Sequence, residues 1–133
     1  MKRIFLLAAI LTPMAVAADD RSSARYERDY RTPSSGRRLL GSVQSDLQAI
    51  WSRSRVDRHE ANHFRDALND LRDFEERSAR GRFDQGRLSS AIRNIDHLAD
   101  ARQLHPRDRN RLRDHLYALR HLREGPQDFR RGW

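Results

Sequence analysis

Apolar side chains recur at three- and four-residue spacings along most of the chain between residues 38 and 124. This spacing places side chains on one face of an α-helix, and no segment shows the period of two that is typical of a strand. The pattern predicts an all-α fold, a small up-and-down helical bundle of about four helices. In chain order, the apolar positions of the four predicted helices are Leu39, Leu40, Val43, Leu47, Ile50, Trp51; Phe64, Ala67, Leu68, Leu71, Phe74; Leu88, Ala91, Ile92, Ile95, Leu98, Ala99; and Leu112, Leu116, Leu119, Leu122.

Capping residues mark the predicted helix ends. Asp57 is the expected N-cap of the second helix, and Glu60, three residues later, is expected to complete a capping box. Gly81 is a natural C-terminal stop, Asp84 caps the third helix, and Pro106 opens the fourth at a position where a missing N–H costs nothing. The short connections predict that neighbouring helices run antiparallel.

The two ends of the chain differ in composition from the predicted bundle. Residues 1–17 contain a basic start, the apolar run "IFLLAAIL" and "AVA", which predict a bacterial signal peptide cleaved near Ala17-Ala18. Residues 18–37 are polar and are expected to be a disordered leader. The bundle domain is predicted to cover residues 38–124, and residues 125–133 form a C-terminal tail. The expected location is therefore periplasmic or secreted, without a transmembrane segment in the mature chain.

The charged residues are unusual in their type. The chain has 27 Lys and Arg and no cysteine. Without Lys2 and Arg3, 27 − 2 = 25 basic residues remain, and all of them are Arg. Arginine suits bidentate binding of phosphate or carboxylate groups, although the codons of a GC-rich genome would produce the same bias. The lack of cysteine excludes disulfides and thiolate metal sites.

The segment His59-Glu60-Ala61-Asn62-His63 has the His-Glu-x-x-His spacing of zinc hydrolases. Such chemistry needs a third protein ligand, an open coordination position and a cleft for substrate. At 100° per residue, His63 lies roughly 70° and His59 roughly 110° from the centre of the core face of the second helix, on its solvent flanks. Capping already explains Glu60, and His97 on the third helix is not expected to complete the site. The sequence therefore predicts no catalytic residue, no metal ligand and no cofactor; a loose surface metal pair and a zinc site are the alternatives.

The fourth predicted helix carries a stripe of positive charge. Arg109, Arg113 and Arg120 lie beside its apolar face with Tyr117 close by, and these four residues are the candidate site for an anion or a partner. Arginines near a helix start oppose the helix dipole, so a function would explain them. The alternative is that the acidic residues of the second helix neutralise the stripe within the bundle.

The stretch "LHPRDRNRL" resembles the helix start of bacterial periplasmic LTxxQ-type envelope proteins, with His105 at the Thr position. More broadly, "GRFDQGRL" and "PRDRNRLRDHLYALRHLR" are similar to segments of small exported bacterial helical proteins of unknown function. The resemblance implies a helical fold and an envelope location, and implies no activity.

These observations favour an exported, non-enzymatic helical binding module that acts on another macromolecule at the bacterial envelope. One alternative is a polyanion-binding protein that uses the Arg-rich helix to bind anionic lipid, polysaccharide or nucleic acid. The other is a zinc-dependent hydrolase built on the HEANH segment. The expected partner is an envelope protein or an anionic polymer, and the sequence predicts no oligomeric state.

Overall fold

Four helices make up the bundle in a computed structural model of the protein. They are α1 (Pro33–Arg53), α2 (Arg58–Ala79), α3 (Gln85–Asp100) and α4 (Pro106–Glu124). The structure describes the chain from residue 33 to residue 125 and the side chains from residue 35. The predicted signal peptide, most of the predicted leader and the tail after residue 125 lie outside this range. Within it there is no strand, which confirms the all-α prediction.

Consecutive helices pack against each other. The α2–α3 contact is the most extensive, followed by α3–α4, and α1 closes the bundle against α2 and α4. The connections are four or five residues long. Connections of this length return the chain beside the helix it has just left, as in an up-and-down bundle. The α2–α3 pair is therefore the most extensively packed pair of helices in the bundle.

The predicted apolar faces form one continuous core. All the positions predicted from periodicity are buried except Trp51, which is half-buried against the core. The Trp51 ring stacks on the Phe64 ring with centroids 5.8 Å apart and planes 7° apart. Leu104, in the α3–α4 connection, is also buried, although periodicity did not indicate it. The stack and the buried Phe64 fix the N-terminal half of α2.

The first helix begins earlier than predicted. Residues 33 to 36, expected to end a disordered leader, form the first turn of α1, and Gly36 is buried. First-turn N–H groups have no partner within a helix, and the fixed φ of proline suits the first helical position. The sequence "PSSG" is therefore compatible with a helix start as well as with a loop, and the predicted boundary near residue 38 was wrong.

The N-cap of α2 differs from the predicted capping box in one respect. Asp57 accepts hydrogen bonds from the N–H groups of His59 and Glu60 at 2.8 and 3.1 Å, as expected of an N-cap. The N–H of Asp57, however, donates to Oε1 of Gln103 at 3.0 Å rather than to Glu60. The Gln103 amide also donates to Oδ2 of Asp57 at 2.9 Å. A residue from the α3–α4 connection thus occupies the place that the sequence assigned to Glu60.

The remaining predicted helix ends are confirmed. Asp84 accepts a hydrogen bond from the N–H of Arg87 at 3.0 Å, which caps α3. Pro106 is the first residue of α4. Gly81 follows α2 with a φ of 77°, a conformation that favours glycine.

Candidate metal site

Three histidines from two helices meet on the surface of the bundle. His59 and His63 belong to α2 and His97 belongs to α3, and one ring nitrogen from each lies within 4.8 Å of the other two. The ring centroids are 4.7 Å apart for His59 and His63, 5.1 Å for His59 and His97, and 4.0 Å for His63 and His97. We call these three residues the histidine cluster.

Helix geometry explains why the cluster forms. Residues four apart on a helix are neighbours on one face, so His59 and His63 stand one above the other on α2. Asn94 and His97 are three apart on α3 and are neighbours for the same reason. Because α2 and α3 share the most extensive contact, these two pairs are held opposite each other. Phe64, fully buried beside His63, anchors this part of α2 in the core.

The distances within the cluster suit a metal ion. Nε2 of His59 and Nε2 of His63 are 3.3 Å apart. In a tetrahedral site with Zn–N bonds of about 2.0–2.1 Å, neighbouring ligand nitrogens are separated by about 3.3–3.4 Å. The same spacing allows a hydrogen bond between the two rings when one nitrogen is protonated. The spacing of His59 and His63 therefore suits two ligands of one ion, and the third nitrogen, from His97, lies within 4.8 Å of both.

Asn94 orients the half-buried ring of His63. Nδ1 of His63 lies 2.9 Å from Oδ1 of Asn94, an oxygen that can only accept a hydrogen bond. The proton of His63 is therefore held on Nδ1, and the lone pair of Nε2 is on the side of His59, whose Nε2 lies 3.3 Å away. Ligating histidines in metal sites are commonly fixed by such an outer hydrogen bond on the second ring nitrogen.

The composition of the cluster indicates an open, nitrogen-only site. Its ligand set consists of imidazoles alone, and His59 and His97 are exposed to solvent. Imidazole ligands suit zinc, copper and nickel better than calcium or magnesium. Structural zinc sites have four protein ligands, whereas sites with three keep a fourth position for water or substrate. The three described ligands correspond to the second kind.

The position of His97 corrects the sequence analysis, which kept His97 apart from His59 and His63. On a helical wheel, His97 lies roughly 160° from the centre of the core face of α3, so the wheel places it on the solvent-exposed face. A wheel shows one helix at a time and does not show which neighbour borders its exposed side. The sequence does not show how α2 and α3 are placed relative to each other. It is this placement that brings the flanks of the two helices, and with them the three histidines, together.

Glu60 lies at the edge of the cluster and is not part of its ligand set. It is half-buried, and its Oε2 atom is buried without a hydrogen-bond partner. Hydrogen bonding from the Glu60 carboxyl, the Gln103 amide and the first N–H groups of α2 holds the pKa of Asp57 below its ordinary value. Glu60, His97 and Arg93 line a shared cavity of about 480 Å³.

A polar groove of about 630 Å³ runs between α2 and α3 from the histidine cluster. His63, His97 and Arg93 line one end. At the other end Arg87 bridges to the buried Asp70, with Nη1 3.0 Å from Oδ1. The walls between them carry amides, hydroxyls and carboxylates, so the groove suits a polar ligand.

The predicted anion-binding stripe on α4 is largely occupied by acidic partners. Arg113 Nη2 lies 3.4 Å from Asp100, and Arg120 Nη2 lies 3.1 Å from Asp96. Arg109 is half-buried, and its Nε atom is buried without a partner. The neutralising acids come from α3, whereas the alternative in the sequence analysis had expected them from the second helix. Two of the three arginines are thus already paired within the bundle.

Tyr117, the fourth residue of the predicted stripe, is half exposed at 50%. Its ring meets the ring of His121 at an angle of 67°, with centroids 4.5 Å apart. No contact in the described chain brings it to the histidine cluster.

A separate ion-pair group joins α1 to α4. Asp46 Oδ2 accepts from Nε of Arg111 at 2.6 Å and lies 2.7 Å from Nε2 of His115. Burial raises the pKa of Asp46, but hydrogen bonds from His115 and Arg111 outweigh it and hold the pKa below its ordinary value. This group ties α1 to α4, and none of its three residues lines the groove.

The chain matches no protein-family model, no curated protein and no solved structure. The resemblance to LTxxQ-type envelope proteins therefore stays a prediction. None of the described helices has the length and apolar character needed to cross a membrane. Among the side-chain groups in the described part of the chain, the histidine cluster has the most specific chemistry.

Proposed function

We propose that the protein binds one divalent transition-metal ion, zinc foremost, through His59, His63 and His97. The observation that carries the proposal is the convergence of three ring nitrogens within 4.8 Å of one another from two helices. The 3.3 Å separation of two of them and the hydrogen bond from His63 to Asn94 support it. The chain has no cysteine, so imidazole is its best ligand for such a metal.

The bundle gives the site a folded support that does not depend on the ion. The apolar core is continuous through all four helices, and none of the three histidines belongs to it. Fully burying a large aliphatic side chain contributes about 1.5–3 kcal/mol, so a core of this size can hold the fold without metal. We therefore expect the ion to bind to a preformed site, and chelation to leave the helices intact.

The direct test is a calorimetric zinc titration of the metal-free protein. Wild type should bind one zinc per chain, and His97→Ala should weaken binding at least tenfold because only one helix then supplies ligands. His121→Ala is the matched control, since that histidine lies beside Tyr117 and outside the cluster. Equal zinc affinity in wild type and His97→Ala, or no stoichiometric binding, contradicts the proposal.

Binding of an envelope macromolecule stays a prediction and is compatible with a metal site. The polyanion alternative has less support, because Arg113 and Arg120 already contact carboxylates of α3. Export of the chain after cleavage near residue 17 also stays a prediction. A nitrogen-only site would suit such a location, since it contains no thiol that an oxidising environment could convert to a disulfide.

A further inference from the structure

We propose that the groove between α2 and α3 binds a small dicarboxylate together with the metal ion, so that the protein holds the ion and its anion as one complex. One carboxylate of this ligand takes the fourth position on the ion, and Arg93 binds the other. The inference rests on the metal binding proposed above and names the ligand that shares the site. Three imidazoles leave one position of a tetrahedral ion open, and two of the three, His63 and His97, line the groove.

Arg93 supplies the positive charge for the second carboxylate. It is exposed, and together with His97 it lines both the groove and the smaller cavity beside it. No ion pair joins Arg93 to a carboxylate in the described part of the chain, whereas Arg87, which also lines the groove, is paired with Asp70. A guanidinium presents two parallel N–H groups that match the two oxygens of a carboxylate. Arg93 is therefore available to bind an anion.

The spacing of the two binding points sets the length of the ligand. Arg93 and His97 are four residues apart on α3, and side chains at this spacing are neighbours with Cβ atoms about 5–6 Å apart. An ion bound to His97 is thus separated from the guanidinium of Arg93 by a short gap. A ligand with two carboxylates joined by a short methylene chain can span this gap, whereas a monocarboxylate reaches only one of the two points.

The α3 side of the groove adds further hydrogen-bond donors. Ser90 lies about one helical turn before Arg93 and Asn94, and all three line the groove. Oδ1 of Asn94 lies 2.9 Å from Nδ1 of His63, which leaves the NH2 group of Asn94 to donate to a ligand. The hydroxyl of Ser90 can donate as well. A few polar groups of this kind are what orients a small ligand in its site, and they suit the oxygens of an anion.

The acidic residues of the groove do not cancel the positive charge at the histidine cluster. Asp70 is paired with Arg87, and Asp66 is exposed with an oxygen 3.8 Å from Nε of Arg65. The carboxylates of the adjoining cavity are not part of the groove lining. The charges of a divalent ion and of Arg93 therefore dominate this end of the groove. They favour a ligand that carries two negative charges.

The test is a calorimetric titration of succinate into the zinc-loaded protein and into the metal-free protein, with the zinc affinity measured separately. Succinate is a weak chelator, so it leaves the zinc on the protein. We expect it to bind the loaded protein about tenfold more tightly than the metal-free protein. Because the coupling of two ligands is reciprocal, saturating succinate should tighten zinc binding by the same factor.

Variants of Arg93 test the second contact. Arg93→Gln removes the charge from an exposed side chain, so the fold and the three histidines should stay in place. It should weaken succinate binding about tenfold, the contribution expected of a hydrogen bond to a charged group, without weakening zinc binding in the absence of succinate. Arg93→Lys keeps the charge and should lose less. Arg72→Gln is the matched control, because Arg72 is exposed on α2 and does not line the groove.

The outcomes separate this inference from the metal proposal. If wild type binds one zinc but succinate does not distinguish the loaded from the metal-free protein, or binds Arg93→Gln as tightly as wild type, the dicarboxylate complex is overturned and the metal site stands. If wild type binds no zinc, both are overturned. Acetate and sulfate test the ligand class. Tighter binding of succinate than of either supports a dicarboxylate, whereas acetate or sulfate binding as tightly as succinate contradicts it.

Discussion

The hydrogen bond between His63 and Asn94 offers the sharpest test of how the histidine cluster is organised. Asn94→Ala removes the oxygen that lies 2.9 Å from Nδ1 of His63 and leaves all three proposed ligands in place. The ring can then rotate, and its proton can move to Nε2, the nitrogen that faces His59. In the variant, part of the binding free energy is spent on restoring the ring orientation and the tautomer that Asn94 enforces in wild type.

The expected loss of affinity follows from the nature of this bond. Outer hydrogen bonds to ligating histidines typically contribute 10–100-fold to metal affinity. The His63–Asn94 hydrogen bond is only half-buried, and a typical bond of this kind contributes about 0.5–1.5 kcal/mol net. Since about 1.4 kcal/mol corresponds to a tenfold change, we expect zinc to bind about tenfold more weakly.

The assay is competition for zinc against a chromophoric chelator at fixed pH. Asn69→Ala is the matched control, because Asn69 lines the same groove and makes no hydrogen bond to the three histidines among the described residues. A zinc affinity of Asn94→Ala within twofold of wild type would refute the orienting role of Asn94. An equal loss in Asn69→Ala would show that the effect is not specific to the hydrogen bond.

Further predictions concern the fold, the acid sensitivity, the arginine stripe and the chain start. Ile95→Ala should lower the free energy of unfolding by about 2–5 kcal/mol, because the side chain is fully buried; denaturant melts with and without chelator check this. Because the folded-state pKa of Asp46 is depressed, its stabilising contribution is present above about pH 4 and is lost as the pH falls further, so wild type and Asp46→Asn should converge in stability at acid pH. Heparin binding should be weak and absent at physiological salt, with little change in Arg113→Ala; tight, salt-resistant retention would restore the polyanion alternative. Intact mass of the native protein should show a chain that begins at or near Ala18, and a retained Met1 would contradict the predicted signal peptide.

The sequence predicted the fold well because helix periodicity and capping are local properties. The apolar residues of α2 and α3 follow the 3.6-residue repeat closely, and every predicted core position on these helices is buried. The start of α1 was missed because proline, serine and glycine are used both in loops and in the first turn of a helix. Local chemistry alone does not separate these two uses.

The candidate site was missed because it depends on contacts between distant parts of the chain. His59 and His63 are visible as a pair, but the approach of His97 is set by the packing of α2 on α3. The predicted hydrogen bond from the Asp57 N–H to Glu60 was wrong for a similar reason. Gln103, 46 residues from Asp57, takes the capping hydrogen bond, and no short sequence motif indicates it.

X-ray absorption at the zinc edge of the loaded protein tests the central claim most directly, because it reports the ligands of the ion itself. We predict a four-coordinate zinc with three imidazole nitrogens at about 2.0–2.1 Å and one oxygen from water. The spectrum of His97→Ala should show one imidazole fewer. A six-coordinate, oxygen-rich environment in wild type, or a spectrum unchanged by His97→Ala, would contradict a metal site formed by His59, His63 and His97.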